Sequence, residues 1–296
     1  MTLMVALVGG QPLPNLLPAR HYRPDDLLLV YTSTTKGVYE RLMATLKEET
    51  TIHELKTDAY DIVTIVEHLN NKLDLPELAK QSTVFNLTGG TKAMALAAYQ
   101  VAQLHSSPIL YLESEGKHSR VYHYVWQNQQ LKAVSNEILP ECVKLEDLLN
   151  VYLGPGLWQE LGPDRSEGSS FEVALAETLH SYGYEVMIGI SALGGQVEID
   201  VAMRFGNQFG IIEAKMGDNG KKLDGIKQLS NAVRHLGTYT QTFYTITVPP
   251  SHSHAAITDA SRIQVISLPE YVRGADRLSP NDEATFIASV DKAMKG

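Results

Sequence analysis

The sequence predicts an α/β protein in two domains: a mostly parallel sheet covered by helices, then a second α/β domain with a mixed sheet. Three observations carry this. Short apolar runs alternate with amphipathic stretches over the first half of the chain. A segment broken by Pro140, Gly154-Pro155-Gly156 and Gly162-Pro163 follows. Beyond it the order changes to helix, three strands, helix, strand, helix, strand. A length of 296 residues suits two such domains, bounded here as 1–139, a connection at 140–167, and 168–296.

Taken in order, residues 4–8 form a buried strand ending in Gly9-Gly10-Gln11. Residues 27–31 form a second strand, ending in Thr32-Ser33-Thr34-Thr35-Lys36, and a helix follows over about 37–48. Residues 51–55 read as a short strand. A helix over 61–73 places Ile62, Ile65, Val66 and Leu69 on one face. Residues 83–87 are a strand ending in Thr88-Gly89-Gly90-Thr91, before an Ala-rich helix over 92–104. Strands at 108–112 and 121–126 complete the domain, and a short helix over 145–153 falls in the connection. This rhythm predicts a Rossmann-like arrangement. In the second half, a helix over 169–182 precedes strands at 184–190, 197–205 and 209–215, the last two joined through Gly206-Asn207-Gln208. A helix over 223–236, a strand at 242–248, a helix over 254–262 and a strand at 263–268 follow.

The composition excludes several classes. Apolar residues make up 44% and charged residues 20%, which fits a folded chain and not a disordered one. The net charge of −9 argues against coating nucleic acid through bulk charge and leaves room for a local patch. One cysteine, Cys142, cannot form an internal disulfide or a multi-cysteine zinc site, so a reducing compartment is expected. No apolar stretch reaches the roughly 18 residues that span a bilayer, and the first residues lack a basic region before their apolar run. The expectation is a cytoplasmic protein with no membrane partner.

The sharpest chemistry lies at Glu198-Ile199-Asp200 and Ile212-Glu213-Ala214-Lys215. Glu213 and Lys215 are two apart on a strand and share a face, while Ala214 points to the packed side. Asp200, on the partner strand, comes close to Glu213 if the hairpin pairs as its short turn suggests. Two carboxylates and an ammonium at the end of an apolar hairpin are expensive to bury without a purpose. A divalent cation explains them, and oxygen donors suit Mg²⁺ or Mn²⁺. Lys215 would orient or deprotonate a water, or stabilise developing charge. Glu172, on the preceding helix, supplies a third carboxylate. Lys221, Lys222, Lys227 and Arg234 give a basic rim for a phosphate backbone. The competing reading is a solvated strand face laced with salt bridges.

Asp200, Glu213-Ala214-Lys215, the upstream Glu172 and Gln228 on the following helix resemble the PD-(D/E)xK nuclease superfamily, with Ile199 where its name has proline. The resemblance implies phosphodiester hydrolysis, with Glu172, Asp200 and Glu213 as metal ligands and Lys215 as the catalytic lysine.

In the first half, Asn86-Leu87-Thr88-Gly89-Gly90-Thr91-Lys92 follows a strand and opens a helix. Glycines allow close backbone approach, and a helix N-terminus favours an anion. The spacing is neither a P-loop nor a dinucleotide fingerprint. With Gly9-Gly10-Gln11 and Thr32-Ser33-Thr34-Thr35-Lys36, three strand ends carry small, hydroxyl or cationic residues, as phosphate or nucleotide binding needs. Ordinary strand-to-helix turns with Thr and Ser caps are the alternative.

The run from Asn86 to Met94 resembles the signature of CARF domains, the CRISPR-associated Rossmann-fold sensors. With the C-terminal motif, the chain resembles a type III CRISPR ancillary nuclease with an N-terminal CARF domain and a C-terminal restriction-endonuclease-like domain. The resemblance implies a homodimer that binds a cyclic oligoadenylate, most often cyclic tetra-adenylate, and then cuts DNA or RNA. The activator contacts it implies are the loops Thr32 to Lys36 and Thr88 to Lys92. Three rivals remain at this level: a non-catalytic sensor, a first domain that degrades its own activator, and an endonuclease that needs none. The scattered histidines, the His252-Ser253-His254 pair, Cys142, Trp126 and Trp158 are read as packing or surface residues.

Overall fold

A computed structural model describes residues 1–115, 118–163, 169–222, 224–251, 254 and 262–295. Most of the expected helix 254–262, His252, Leu223 and residues 164–168 lie outside the described residues. The chain divides into two compact units, Met1–Val143 and Lys144–Gly296.

The first unit runs β1 (Thr2–Leu7), α1 (Leu13–Tyr22), β2 (Asp26–Tyr31), α2 (Lys36–Leu46), β3 (Thr51–Lys56), α3 (Ile62–Leu73), β4 (Ser82–Asn86), α4 (Lys92–Leu104), β5 (Ile109–Glu115), β6 (His118–Gln127) and β7 (Gln130–Ile138). Its sheet has the order β3-β2-β1-β4-β5-β6-β7. The first five strands are parallel, and β6 and β7 add on antiparallel. The fold is Rossmann-like. Leu3 to Leu7 of β1 are fully buried, as an apolar strand between covering helices should be. Asp61 caps α3 by accepting from the amides of Val63 and Thr64, and Thr91 caps α4 by accepting from Met94. Ile62, expected on the packed face of α3, is instead exposed at the helix start, whereas Ile65 and Leu69 are buried.

Two elements of this unit were not expected. The helix α1 carries Pro14 in its first turn, where it is tolerated, and Pro18 in its interior, where it argues against a helix on local grounds. The ring at Pro18 removes the N–H that would bond the carbonyl of Pro14. Asn86 Nδ2 takes that carbonyl instead, at 2.8 Å. Nearby, buried Asn15 donates its Nδ2 to Leu7 O at 3.0 Å. The strand β7 is exposed along most of its length, so its residues show no apolar alternation, and it exists by pairing with β6.

The second unit runs α5 (Leu145–Leu153), β8 (Trp158–Glu160), α6 (Ser169–Ser181), β9 (Glu185–Ala192), β10 (Val197–Phe205), β11 (Gln208–Lys215), α7 (Asp224–Leu236), β12 (Gln241–Ile246), β13 (Ile263–Ser267) and α8 (Pro280–Met294). The sheet order is β13-β12-β11-β10-β9-β8, with β11, β12 and β13 parallel and the other pairings antiparallel. One face packs on α6 and α8, through Phe171, Leu175, Phe286 and Val290 against Ile212, Ala214 and Phe243. On the other face α7 sits so close that a Cβ on Gly225 would meet the Tyr244 ring at 2.6 Å.

The connection expected at 140–167 is occupied by two of these elements. Leu145, Leu148 and Leu149 of α5 are fully buried, and β8 extends the sheet along β9. Pro140 precedes α5, Gly154-Pro155-Gly156 joins α5 to β8, and Gly162-Pro163 follows β8. The helix α8 was also unexpected. It starts at a Ser279 cap and buries Phe286, Ile287, Val290 and Met294. Among the described residues, no helix is long and apolar enough to cross a membrane.

Candidate functional site

The second unit gathers its polar residues where β10 and β11 part. The antiparallel register ends with Val201 opposite Ile212. One step further, Asp200 leaves the ladder and its Oδ2 accepts the Ala214 N–H at 2.7 Å. Lys215 Nζ stands 2.5 Å from Glu213 Oε1 and 3.5 Å from Asp200 Oδ2. Ala214 faces the core, and Glu213 and Lys215 point to the other side, as the strand period requires. Gly225 lets α7 press on Glu213, since a Cβ there would lie 3.3 Å from Glu213 Cγ.

The electrostatics follow from this packing. Glu213 is 2% exposed. Burial is the main force raising its pKa to about 7; Asp200 and Glu172 push the same way, and Lys215 opposes them. Burial works against the Lys215 ammonium, yet Asp200 and Glu213 outweigh it and hold its pKa above the usual lysine range.

A cavity of about 880 Å³ opens over this cluster. Glu172, Glu198, Asp200, Lys215, Lys222 and Gln228 line it, together with Tyr271 and Arg273. Glu213 lies behind the wall, paired with Lys215, which lines it. Of the expected basic rim, only Lys222 lines the cavity. Lys221 and Lys227 pair with Asp218 and Asp224 on the surface. Arg273 and Tyr271 were missed by sequence reasoning. They lie more than fifty residues from the motif, on a turn that carries no pattern of its own.

The donor set fits a hard divalent cation in kind: two carboxylates share one ammonium as their countercharge. Among the described residues, no three His, Cys, Asp or Glu side chains are already gathered as a metal shell. Glu172 stands on the same cavity without joining Asp200 and Glu213.

In the first unit, β2, β1 and β4 are neighbours, so their carboxyl ends bring Gly9-Gly10-Gln11, Thr32 to Lys36 and Thr88 to Lys92 to one edge. The strand order reverses between β1 and β4, the place where open parallel sheets leave a crevice. The glycines have a structural reason. A Cβ on Gly89 would lie 1.9 Å from Leu7 O, one on Gly9 would meet Gly90 N at 3.0 Å, and Gly90 has φ +74°.

Most of the hydroxyls here bond within the protein. Thr88 Oγ1 donates to Asn86 Oδ1 at 2.7 Å and accepts the Leu112 N–H at 2.7 Å. Thr91 Oγ1 donates to Ala59 O at 2.5 Å. Thr35 Oγ1 accepts the Thr32 N–H at 3.0 Å. Lys36 pairs with Glu40 at 3.0 Å, while Lys92, Ser33 and Thr34 are exposed. Gln11 Oε1 is buried and has no hydrogen-bond partner among the described residues. The edge therefore offers Gln11, exposed Ser33, Thr34 and Lys92, and loop backbone.

The aromatic and histidine side chains set aside on sequence grounds pack as expected. Trp126 Nε1 donates to Ser107 O, and Trp158 Nε1 donates to Asn150 Oδ1. His254 is buried, accepts the Ser251 N–H and lies edge-on to Tyr244.

Residues 3–140 match the family described as the Card1 CARF domain. The first unit carries a CARF domain. No curated protein matches the sequence. Among solved structures, Can2 from Sulfobacillus thermosulfidooxidans, in complex with cyclic tetra-adenylate, superposes with a TM-score of 0.72 over 99% of both chains, at 16% identity. Protein VC1899 from Vibrio cholerae gives 0.69 over 99% of this chain and 98% of its own, at 13% identity. A type III CRISPR defence DNA nuclease activated by cyclic oligoadenylate gives 0.65 at 17% identity, with 99% of this chain spanning 51% of that one. These likenesses establish the fold, with the CARF unit as its first half.

Proposed function

We propose that the protein is a cytoplasmic, metal-dependent nuclease of type III CRISPR defence, switched on by a cyclic oligoadenylate bound at its CARF unit. The observation that carries this is the cluster of half-buried Asp200 and Lys215 on buried Glu213, beneath an open polar cavity. A surface salt-bridge lattice would leave Glu213 in water. Here it is 2% exposed and paired with Lys215, which lines the cavity. The second unit is read as a PD-(D/E)xK nuclease domain. The shared fold with Can2, solved with cyclic tetra-adenylate, and with a DNA nuclease activated by cyclic oligoadenylate supports the pairing of sensor and cutter.

Asp200 and Glu213 would hold Mg²⁺ or Mn²⁺, with Glu172 turning in as a third donor. Such an ion supplies Lewis-acid charge and a bound water of lowered pKa. Lys215, released from Glu213, is placed to hold that water or the non-bridging oxygen of the phosphate being cut. The Ala214 N–H keeps Asp200 oriented throughout. Substrate is DNA or RNA, lying across Lys222 and Gln228.

The activator would lie on the edge formed by Gly9, Gly10, Gln11, Thr32, Ser33, Thr34, Thr35, Lys36, Thr88, Gly89, Gly90, Thr91 and Lys92. Gln11 and the exposed loop groups would make the contacts, and Thr32, Thr35, Thr88 and Thr91 would set loop shape. A homodimer suits a cyclic ligand with its own even symmetry. The test is cleavage of plasmid DNA and labelled single-stranded DNA and RNA, with Mn²⁺ or Mg²⁺, with and without cyclic tetra- or hexa-adenylate. Cutting that needs both metal and activator, and is lost in Glu213→Ala, is the expected result. Cutting without activator would remove the sensor, and activator binding with no cutting would remove the nuclease.

A further inference from the structure

We propose that Arg273 is a substrate-phosphate contact of the second unit's cavity, acting across from α7. The inference rests on the nuclease reading and adds a residue outside the motif. Arg273 lines the same cavity as Asp200 and Lys215 but comes from the turn after β13, far along the chain. β11 and β13 run parallel with β12 between them, so this turn and the loop after Lys215 leave the sheet at the same edge.

The turn is held firmly where it meets the cavity. Tyr271 OH donates to Ala275 O at 2.8 Å and lies 3.3 Å from Ser170 Oγ at the start of α6. The Tyr271 ring packs on Phe171 at 4.7 Å, and the Ala275 N–H bonds Val272 O at 2.9 Å. Gly274 has φ +82°, a left-handed conformation that closes the turn. Arg273 is thus an exposed side chain on a rigid base beside the helix that carries Glu172.

Charge distribution gives the turn its purpose. The wall carries Glu172, Glu198, Asp200 and Asp224, which repel a polyanion. Of the described cations in the wall, Lys215 stands on β11 and Lys222 just before α7, whereas Arg273 comes from the turn beside α6. A strand laid over the carboxylates brings phosphates to both sides of the cut. A guanidinium fork suits a phosphate oxygen pair better than an ammonium does.

The experiment measures binding, not turnover. The full chain, with cyclic tetra-adenylate and Ca²⁺, is titrated into fluorescein-labelled single-stranded DNA, single-stranded RNA and duplex DNA over a series of NaCl concentrations. Arg273→Ala should raise Kd roughly tenfold on the bound substrate and lower the log–log salt slope by about one. Arg273→Lys should keep the slope and lose only part of the affinity. Unchanged Kd and slope in Arg273→Ala overturn the inference. So does weakened binding with an unchanged slope, which marks a structural role. If the unsubstituted protein binds no nucleic acid, the nuclease reading falls and the inference with it. If it binds but never cuts with Mg²⁺ or Mn²⁺, only the catalytic reading falls, and a reduced slope in Arg273→Ala still supports the contact.

Discussion

Asp200 Oδ2 accepts the amide of Ala214 at 2.7 Å, so a carboxylate of one strand takes the place of a ladder bond to the next. The bond fixes Asp200 beside Lys215 and satisfies an N–H in a residue that is 7% exposed. Removing the acceptor therefore has a structural consequence separate from any chemical one.

Asp200→Ala should destabilise the second unit by about 1–3 kcal/mol, the usual effect of leaving a buried amide unpaired. Asp200→Asn keeps an oxygen acceptor and should melt near the parent protein. Both should be inactive in cleavage. Thermal unfolding of the two variants separates the roles: equal melting temperatures would refute the Ala214 contribution.

Glu213 makes the metal-free protein's stability depend on pH. Its pKa rises from 4.5 to about 7 on folding, chiefly through burial. The folded state therefore holds a proton that the unfolded state has lost, and stability falls as pH rises through that interval. Denaturant unfolding in EDTA should show the decline between about pH 4.5 and 7, and Glu213→Gln should flatten it. A parent curve that climbs over this window would contradict the burial argument.

Gly89→Ala should be among the most damaging single substitutions in the first unit. Its Cβ would lie 1.9 Å from Leu7 O, a backbone atom that cannot step aside. A loss of roughly 3 kcal/mol or more is expected, as for other backbone clashes. Gly10→Ala meets nothing within 4 Å and should leave the melting temperature unchanged. Comparable melting of the two would show that the loop does not pack on β1 in this way.

Gln11→Ala should fold normally and bind cyclic tetra-adenylate at least fivefold more weakly, since Gln11 Oε1 is a buried acceptor with no described partner. Gln11→Glu, which removes the amide donor and adds charge facing phosphates, should bind more weakly still. Calorimetric titration decides this, and unchanged affinity in both would take Gln11 out of the activator site.

Legibility differed by the range of the interactions involved. The strand ends at Gly9, Thr32 and Thr88 and the Asp200, Glu213 and Lys215 cluster follow from local pattern, because strand period and turn length dictate which side chains meet. The helix α1 did not, since Pro18 in its interior opposes it locally and the support comes from Asn86. Arg273 was hidden for the same reason: only the parallel pairing of β11, β12 and β13 brings its turn to the motif. The helix α8 was legible in principle. Ser279 as cap, Asp282 and Glu283 in the first turn and the spacing of Phe286, Val290 and Met294 are ordinary helix signals. The hydroxyls misled most. Thr88 and Thr91 read as ligand groups, yet their bonds run to Asn86, Leu112 and Ala59.

The proline in the middle of α1 ties that helix to the carboxyl ends of the strands. Asn86 reaches from the end of β4 to the carbonyl of Pro14 with its amide and holds Thr88 with its oxygen. Asn15 ties the same helix to Leu7. Helix, strand ends and glycine loop are thus tied to one another at three points, so displacing the loop from the sheet requires breaking bonds that reach α1 as well.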